Sequence, residues 1–482
     1  MAGQLPFDPR PWSKRRDAAL HDVTMRQTIQ FVTRRLANAK VAAYAAYPEG
    51  EQSRLRAVHV KRQSIRQMAE HLATFTQQVE EHGGHVHHAA TAADAIQAVL
   101  QVAQHHGARR IIKTKSMATE ELELNQALEN AGIAVRETDL GEYIIQLAQE
   151  KPSHILAPAA HKNRAQIAAL FDRDAQGQHT AAPTSDAILA LTQYARRRLR
   201  EEFLLADMGI TGGNFLVAET GTLVLITNEG NADMVTTLPR ILVSVVGVEK
   251  IVADWSGLIE VIQQPALSGV GQRLSSYTTL VSGPRGADQW EGPDQWHVVL
   301  LDNGRTLLRD TPFEDVLSCI RCGACLNVCP VFRQVGGHAY GSVYPGPIGI
   351  VETPLLTDFG ILPELPSALC TVCHACGDAC PMDIDLPGHI VQLRQIKEDR
   401  RMNAPGVARS YRWWARFWAT SPGYRRSIRW ARWGQRWFVR HGRIQSAPGL
   451  ASGWFNTRDM PPLAAETFHE WWERTRGKGR RL

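Results

Sequence analysis

Two short cysteine runs constrain this chain more than any other feature of its sequence. The chain has eight cysteines, and none of them lies in residues 1–318. The first run contains Cys319, Cys322, Cys325 and Cys329, and the second contains Cys370, Cys373, Cys376 and Cys380. The two runs form an internal repeat that reads C-x2-C-x2-C-x3-C-P, and this is the spacing that bacterial ferredoxins use for [4Fe–4S] clusters.

The spacing suits four thiolates that converge on one cluster of iron and sulfide, because soft metal ions prefer soft ligands. Gly323 and Gly377 are expected to let backbone N–H groups approach the sulfurs and tune the potential. In two-cluster ferredoxins the cysteine before proline binds the other cluster, so by analogy each run completes the cluster of the other. The predicted ligands are Cys319, Cys322, Cys325 and Cys380 for cluster one, and Cys370, Cys373, Cys376 and Cys329 for cluster two.

Disulfides and zinc sites are the two alternatives to a pair of [4Fe–4S] clusters. Disulfides need an oxidising compartment, and the N-terminus MAGQLPFDPRPWSKRRD lacks the apolar segment of a secretory signal. Zinc ribbons use paired C-x2-C knuckles, not three cysteines at intervals of three followed by C-P. We therefore expect two [4Fe–4S] clusters in a cytoplasmic protein whose thiolates are kept reduced.

The sequence pattern along the chain predicts four regions. The 482 residues suggest about three domains at roughly 150 residues each, and no stretch reaches the roughly 18 apolar residues that a membrane-spanning helix needs. We predict a helical N-terminal region at 1–83 and an α/β domain at 84–305. We further predict a two-cluster domain at 306–400 and a basic helical tail, rich in Trp and Arg, at 401–482.

Short β-rich runs alternate with helical patterns in the second region. The early runs are 85–88, 110–113, 134–137 and 154–157. Such alternation with short links predicts a parallel sheet covered by helices. In the third region, helical patterns precede each cysteine run and about forty residues separate the runs, which resembles the α-helical type of ferredoxin domain.

The tail carries most of the positive charge and of the tryptophan. Residues 409–443 hold ten Arg and no acidic residue, so the net charge of +6 leaves −4 for the rest of the chain. Nine of the thirteen Trp follow residue 408. Spacing places Trp430, Trp433 and Trp437 on one helical face, beside Arg425, Arg429, Arg432, Arg436 and Arg440.

This composition allows three kinds of contact for the 409–443 segment. Trp and Arg suit the headgroup zone of a membrane, here its inner face, and they also suit an acidic protein partner with Trp anchors. Basic patches with aromatic residues bind nucleic acid as well. We favour the first two, because electrons from the clusters must leave to a partner or to the membrane.

Several stretches together resemble one known family. They are the twin cysteine runs, the connector GGHAYGSVYPGPIG at 336–349, KTKSMATEE at 113–121, PAAHK at 158–162, TGGNFLVAETGT at 211–222, NEGN at 228–231 and TTLP at 236–239. The chain is identified by them as a member of the lactate utilization protein B family, the iron–sulfur subunit of a bacterial three-protein system. The resemblance runs from about residue 10 into the tail.

The resemblance implies a role as electron carrier in the oxidation of L-lactate to pyruvate, with two partner proteins of the same system. It also implies that the α/β domain is similar to sugar isomerase and CoA-transferase folds. In CoA-transferases a Glu in a turn similar to that of Glu219 is the nucleophile, although a carboxylate in a turn is usually structural.

Three residues at the end of a predicted strand are candidates for a ligand site. Lys113, Lys115 and Ser116 lie where open α/β sheets place ligands, and two lysines with a serine at the start of a helix suit a carboxylate or a phosphate. The alternative is a capped helix with solvated lysines.

Two histidine-containing segments carry weaker signals. His161, beside Lys162, is expected to be a helix cap or a surface residue and not a ligand. His85, His87 and His88 form a short cluster, but the sequence offers no further ligands nearby, so a metal site is not favoured there.

Catalytic residues are unknown at this stage. A G-x-G-x-x-G motif after a predicted strand is missing, and so is a P-loop. A [4Fe–4S] cluster takes one electron at a time, so a hydride needs another acceptor. The leading hypothesis is an electron relay whose substrate chemistry lies elsewhere. The alternative is a ligand-binding sensor or transferase whose clusters are structural or redox-sensing.

Overall fold

The computed structural model describes residues 3–176, 180–402, 405–446, 455 and 458–476. The chain forms two compact units, Met1–Ile396 and Lys397–Leu482. The predicted tail at 401–482 therefore lies partly outside the described residues. The four regional boundaries predicted from the sequence remain predictions.

Four helices begin the first unit, as the sequence predicts. They are α1 (Trp12–His21), α2 (Val23–Ala45), α3 (Gly50–Arg66) and α4 (Met68–Glu81). Asp22 starts α2 by accepting a hydrogen bond from the backbone N–H of Met25 at 2.8 Å. Helix α4 packs on the α/β domain because its apolar face is fully buried, with Phe75 and Val79 at 0% exposure.

The α/β domain contains ten described strands and nine α-helices. The strands are β1 (His85–Ala89), β2 (Arg110–Lys113), β3 (Ala134–Glu137), β4 (Met208–Thr211), β5 (Phe215–Val217), β6 (Thr222–Thr227), β7 (Ile241–Gly247), β8 (Ile251–Val252), β9 (Tyr277–Val281) and β10 (Gln295–Leu301). The helices are α5 (Ala92–His105), α6 (Met117–Glu121), α7 (Leu124–Asn130), α8 (Leu140–Ala148), α9 (Arg164–Ala175), α10 (Ile188–Leu205), α11 (Asn231–Thr237), α12 (Trp255–Val261) and α13 (Gln263–Gly269).

Six of these strands form a parallel sheet in the order β1-β10-β7-β4-β2-β3. Every residue of the central strand β7 is buried, which is typical of a parallel strand covered on both faces. The parallel sheet covered by helices that the sequence predicts is confirmed. Its carboxyl ends meet at one edge, and the loops that follow them build the site described below.

A second sheet is a feature that the sequence analysis missed. It has the order β8-β5-β6-β9, with β6 antiparallel to both neighbours. The strand predicted at 154–157 is wrong, because this segment is a loop. The ring of His154 accepts hydrogen bonds from the backbone N–H groups of Leu156 and Ala157 at 3.0 and 3.2 Å, so the loop satisfies its own backbone and has no need of a sheet partner.

Short helices flank both cysteine runs. They are α14 (Ala324–Val328), α15 (Phe332–Val335), α16 (Gly346–Leu356), α17 (Leu365–Ala368), α18 (Ala375–Asp378) and α19 (Leu386–Asp399). Helices α14 and α18 each begin inside a cysteine run, so the two runs have the same local fold. This segment is helical, as expected from the long separation of the runs.

The second unit contains α20 (Pro405–Trp418), α21 (Ser421–Gln435), β11 (Val439–Arg440), β12 (Arg443–Ile444) and α22 (Phe468–Arg476). Helix α21 ends before Trp437, and Arg440 lies in a two-stranded hairpin. The predictions that Trp437 continues the helical face of Trp430 and Trp433, and that Arg440 continues the adjoining face, are therefore wrong. The described helices include none whose length and apolar character would let it cross a membrane.

Candidate functional site

The backbone of both cysteine runs turns through the left-handed region at equivalent positions. In the first run Arg321 and Gly323 have φ of 59° and 72°, and in the second Val372 and His374 have φ of 53° and 65°. A left-handed conformation costs a non-glycine residue about 1–2 kcal/mol, and a β-branched residue such as Val372 rarely adopts it. His374 is the residue of the second run that is equivalent to Gly323, and the backbone N–H of Gly377 donates to the Cys376 sulfur, as predicted.

These turns gather the eight sulfurs into two pockets. Cys319, Cys322, Cys325 and Cys380 line one pocket, and Cys329, Cys370, Cys373 and Cys376 line the other. The cysteine before proline in each run thus lies with the first three cysteines of the other run. We call these the first and second cysteine pockets. Helix α14 joins them, because Cys325 lies in this helix and Cys329 caps its end.

The spacing of the sulfurs fits a cluster better than a single metal ion. Four thiolates around one zinc ion at about 2.3 Å lie about 3.8 Å from one another. No three cysteine sulfurs, all of which belong to the described residues, lie within 4.8 Å of one another. The sulfurs thus lie farther apart than the thiolates of a four-cysteine zinc site.

Burial makes these thiols difficult to ionise without a cation. It raises the pKa of Cys322 and of Cys376 to about 12 and that of Cys380 to about 11. The thiolate form binds metal, so the positive charge that stabilises it in these pockets must come from the bound group. Such pockets suit iron ions and do not suit reactive free cysteines.

Backbone N–H groups and a buried hydroxyl face the sulfurs. The N–H groups of Phe332 and Val372 donate to Cys329 and Cys370 at 3.5 and 3.2 Å. The hydroxyl of Tyr340 is buried against Cys329 and has no nitrogen or oxygen partner among the described residues. Hydrogen bonds of this kind tune a cluster potential, so the donor set fits the group that the sequence predicts.

Cationic side chains surround the first cysteine pocket. Lys250 donates to the carbonyl oxygen of Cys319 at 3.0 Å, and Lys61 donates to that of Glu249 at 2.6 Å. Lys40 donates to the carbonyl oxygen of Ala379, beside Cys380. Burial, together with the nearby Lys250, lowers the pKa of Lys61 to about 7. A cluster held by four thiolates carries net negative charge, so these cations would stabilise it.

A buried ion-pair network ties the first pocket to the α/β domain. Arg305 donates to both carboxylate oxygens of Glu121 at 3.0 and 2.7 Å and lies 2.8 Å from Glu249. Tyr344, from the connector, donates to Glu121, and Arg321 stacks on its ring at 4.3 Å. Removing one partner would leave a buried charge unpaired, so this network fixes the cysteine segment against the sheet.

A cavity of about 320 Å³ lies where the carboxyl ends of the parallel strands meet. Its wall includes Lys115 and Ser116 after β2, Gly212 and Gly213 after β4, and Gly247 at the end of β7. Gly212 passes so close that a Cβ there would lie 2.5 Å from the Ser116 hydroxyl. We call this the sheet-edge cavity.

The sheet-edge cavity also reaches the first cysteine pocket. Arg321 and Cys322 line it, as does Lys250. On another side it is lined by Glu229 and Asn231, from the loop after β6 and from the start of α11. Sequence reasoning missed Glu229, Lys250 and Asn231. The available signal was the NEGN motif directly after a β-rich run, since such loops carry ligand sites.

The structure separates the three residues predicted as an anion site. Lys113 is fully buried and lies 2.7 Å from Glu137 and 3.2 Å from Glu120, so it takes no part in the cavity. Lys115 and Ser116 line the cavity. Ser116 also caps α6 by accepting a hydrogen bond from the backbone N–H of Thr119 at 3.3 Å.

Glu219 lies outside the cavity. It is exposed on a 3₁₀ turn, Ala218–Thr220, and accepts a hydrogen bond from the backbone N–H of Trp255 at 3.3 Å. This is the structural role that a carboxylate in a turn usually has.

His161 is buried and not at the surface, and Asn163 provides the cap of α9 in its place. The ring nitrogens of His161 lie 2.7 Å from Ser153 and 2.7 Å from Glu150. Lys162 also donates to Glu150. The hydrogen bonds from His161 and Lys162 lower the pKa of Glu150 to about 2. These groups already satisfy one another, so we assign no metal to them.

The cluster of His85, His87 and His88 has more neighbouring side chains than the sequence suggested. His297 on β10 lies 3.1 Å from His87 between ring nitrogens, and its ring stacks on that of His85 with centroids 4.8 Å apart. His106 approaches the same ring, and His88 lies near Thr76. Burial and the neighbouring imidazoles lower the pKa of His297 to about 3, so the His297 ring in the middle of this cluster is neutral.

Two known domain families match successive parts of the first unit. Residues 72–301 match the LUD domain family, and residues 315–384 match the 4Fe-4S dicluster domain family. A solved DUF162 family protein from Deinococcus radiodurans is 18% identical, covering 48% of this chain and 98% of its own, with a TM-score of 0.27. The class of protein is thus one that joins a LUD-type α/β domain to a 4Fe-4S dicluster domain.

Relatives that match over nearly the whole chain define the family more closely. Lactate utilization protein B of Shouchella clausii is 41% identical and covers 98% of this chain and 99% of its own. That of Oceanobacillus iheyensis is 38% identical, covering 97% of both chains. An uncharacterized electron transport protein, YkgF, from Escherichia coli is 39% identical over 94% of both chains. The chain belongs to the lactate utilization protein B family, as the sequence motifs indicated.

Proposed function

We propose that this chain is an electron-transfer subunit of a lactate-oxidising system and that it carries electrons through two [4Fe–4S] clusters. The observation that carries the proposal is the pair of cysteine pockets with crossed membership. The names of the relatives, which refer to lactate utilization and to electron transport, support the biological setting. The oxidation is that of L-lactate to pyruvate, with two further proteins of the system as partners.

The eight cysteines would be the cluster ligands. Cys319, Cys322, Cys325 and Cys380 would hold cluster one, and Cys370, Cys373, Cys376 and Cys329 would hold cluster two. Each cluster accepts and releases one electron at a time. The protein supplies thiolates, N–H donors and a desolvated setting, which together set the potential. A reducing cytosol suits these thiols, none of which forms a disulfide in the structure.

The two pockets differ in exposure, and this difference suggests the route. Cys373 in the second pocket is exposed, whereas Cys322 and Cys325 in the first are buried. An electron donor or acceptor protein can approach the second pocket more closely. We infer that a partner exchanges electrons at cluster two, while cluster one faces the α/β domain.

The basic segment at 409–443 is proposed as a peripheral contact with an anionic membrane or an acidic partner. Trp413, Trp430 and Trp433 are exposed by 67, 76 and 63%, which is unusual for such large apolar rings. Sedimentation with anionic and neutral vesicles at about 0.1 M salt tests the membrane contact. Binding to anionic vesicles alone, lost when Trp430 and Trp433 become alanine, is expected. Equal sedimentation of this variant would refute the membrane contact.

The relay is tested by mixing anaerobically purified protein with L-lactate and each partner of its system. Rapid-freeze EPR follows the reduction of the clusters. Reduction within the turnover time of the assembled system is expected, with no reduction when lactate or the partner is omitted. Clusters that stay oxidised while lactate is consumed would refute the relay.

A ligand-binding sensor or transferase is the second candidate, and the sheet-edge cavity favours it. On this alternative the clusters would be structural or redox-sensing. The same assay separates the two, because a sensor or transferase would process or bind its ligand while the clusters remain oxidised in the presence of lactate and partners.

A further inference from the structure

The sheet-edge cavity is a site that the electron relay leaves without a role. Its volume of about 320 Å³ lies at the lower end of the roughly 300–1,000 Å³ that small-molecule sites occupy. It lies outside the carboxyl ends of parallel strands, where open α/β sheets bind ligands. Three features of its wall indicate what it binds.

Lys115 is a cation that forms no direct ion pair in the described part of the chain, although its charge acts at longer range on the buried Glu142. Its ammonium group donates to the carbonyl oxygen of Ile155, and an ammonium group has three donors. The other cations of the wall are engaged, since Arg305 pairs with Glu121 and Glu249, and Arg321 pairs with Glu352. Lys115 therefore offers the cavity a positive charge and free donors.

Asn231 offers an acceptor whose orientation is fixed by its neighbours. Thr138 donates its hydroxyl proton to the carbonyl oxygen of Lys113 at 2.9 Å. Its oxygen can then only accept, and it lies 3.3 Å from the side-chain nitrogen of Asn231. The Oδ1 atom of Asn231 thus points elsewhere, and it is buried without a partner, in a residue that is 6% exposed. A ligand with a hydroxyl donor would satisfy it.

The balance of charges favours a small monoanion over a phosphate. Asp139, Glu229 and Glu249 line the same cavity, and negative charge on these carboxyl groups disfavours a dianion more strongly than a monoanion. Lys250, the remaining cation, lies 3.5 Å from Glu249 and is thereby partly neutralised. A ligand with one carboxylate and one hydroxyl would match this wall. Its carboxylate would pair with the Lys115 ammonium group, and its hydroxyl would donate to the Oδ1 atom of Asn231.

We propose that the sheet-edge cavity binds a small hydroxycarboxylate, with its carboxylate on Lys115 and its hydroxyl donating to Oδ1 of Asn231. The inference extends the proposed function, because it puts a ligand of the substrate class on this chain. Cys322 is part of the same wall, so the ligand lies against cluster one. Occupancy would therefore change the EPR spectrum of cluster one, even where no electron is transferred.

Isothermal titration of the anaerobic, cluster-loaded protein tests this assignment. We expect L-lactate to bind with a stoichiometry of one, and acetate, which lacks the hydroxyl, to bind at least about tenfold more weakly. Inorganic phosphate should also bind more weakly. Lys115→Met should weaken L-lactate binding about tenfold or more, whereas the exposed control Lys14→Met should leave it unchanged.

A second variant keeps the proposal testable if Lys115→Met does not fold. Asn231→Ala should weaken L-lactate several-fold and leave acetate unchanged, with Asn130→Ala as its exposed control. Iron content and the EPR spectrum of the reduced clusters report whether each variant is intact. No saturable binding of L-lactate to the wild type, equal affinity for acetate, tighter binding of phosphate, or wild-type affinity in intact Lys115→Met would each overturn the proposal.

Failure of this inference is distinguishable from failure of the relay. Binding is measured at equilibrium without partners, whereas the relay is measured as cluster reduction with partners. Lactate that binds without reducing the clusters leaves the inference standing and defeats the relay. Clusters that are reduced through a partner while the isolated chain binds no lactate leave the relay standing and defeat the inference.

Discussion

At the scale of single residues, the sites of this protein depend on groups that local sequence does not mark. The eight cysteines are evident from the sequence, because both runs repeat the C-x2-C-x2-C-x3-C-P spacing of cluster-binding ferredoxins. Lys115 and Ser116 could be predicted as site residues, because they directly follow a predicted strand. Asn231 was not, because its significance depends on Thr138, about ninety residues earlier in the chain.

Glu229 provides a prediction about pH. Burial, reinforced by the neighbouring Asp139, raises its pKa to about 7 in the folded protein, above the ordinary value near 4.5. The folded state therefore holds this proton more tightly than the unfolded state, and stability falls as pH rises from about 4.5 to about 7. Glu229→Gln keeps an acceptor for the N–H of Leu140 and removes the ionisation.

The variant should thus be more stable than the wild type, and the difference should grow between about pH 5.5 and pH 8.5 by on the order of 1–2 kcal/mol. Urea unfolding at the two pH values measures it, with the exposed Glu129→Gln as control. A difference that is the same at both pH values would show that Glu229 does not titrate in this range.

At the scale of helices and strands, prediction succeeded where the local sequence pattern is regular. It failed where contacts of particular side chains determine the backbone conformation. Strands β2 and β3 were predicted with their observed bounds, since short β-rich runs that alternate with helical patterns indicate strands of a parallel sheet. The segment at 154–157 has a similar composition, but the ring of His154 closes it into a loop. Strand β8 has two residues, which is too short for any periodicity.

The helices of the cysteine segment illustrate the same limit. The spacing of the cysteines predicts which sulfurs belong together, whereas the cations around them come from α2, α3 and the turn after β7. Lys40, Lys61 and Lys250 are far apart in sequence. Ordinary lysines become part of the site only through packing, so no sequence motif identifies them.

At the scale of the whole molecule, the first unit joins a LUD-type α/β domain to a 4Fe-4S dicluster domain. The network of Glu121, Arg305, Glu249 and Tyr344 crosses the junction and is buried. The sheet-edge cavity and the first cysteine pocket share Arg321 and Cys322 as wall residues. Chemistry in the cavity and charge in the pocket are therefore expected to influence each other.

The crossed cysteine pockets are the claim on which this account depends. Cys380→Ala should remove the same cluster as Cys322→Ala, although the two residues belong to different runs. Cys373→Ala should remove the other cluster and leave a different residual signal. Loss of one thiolate from a four-cysteine site leaves the cluster labile or absent.

The most direct measurement is iron content together with the EPR spectrum of the reduced protein, for the anaerobically purified wild type and these three variants. The account predicts about eight irons per wild-type chain, two [4Fe–4S] signals, and the same residual spectrum in Cys380→Ala and Cys322→Ala. Zinc in place of iron, or a residual spectrum in Cys380→Ala that matches Cys373→Ala, would contradict it.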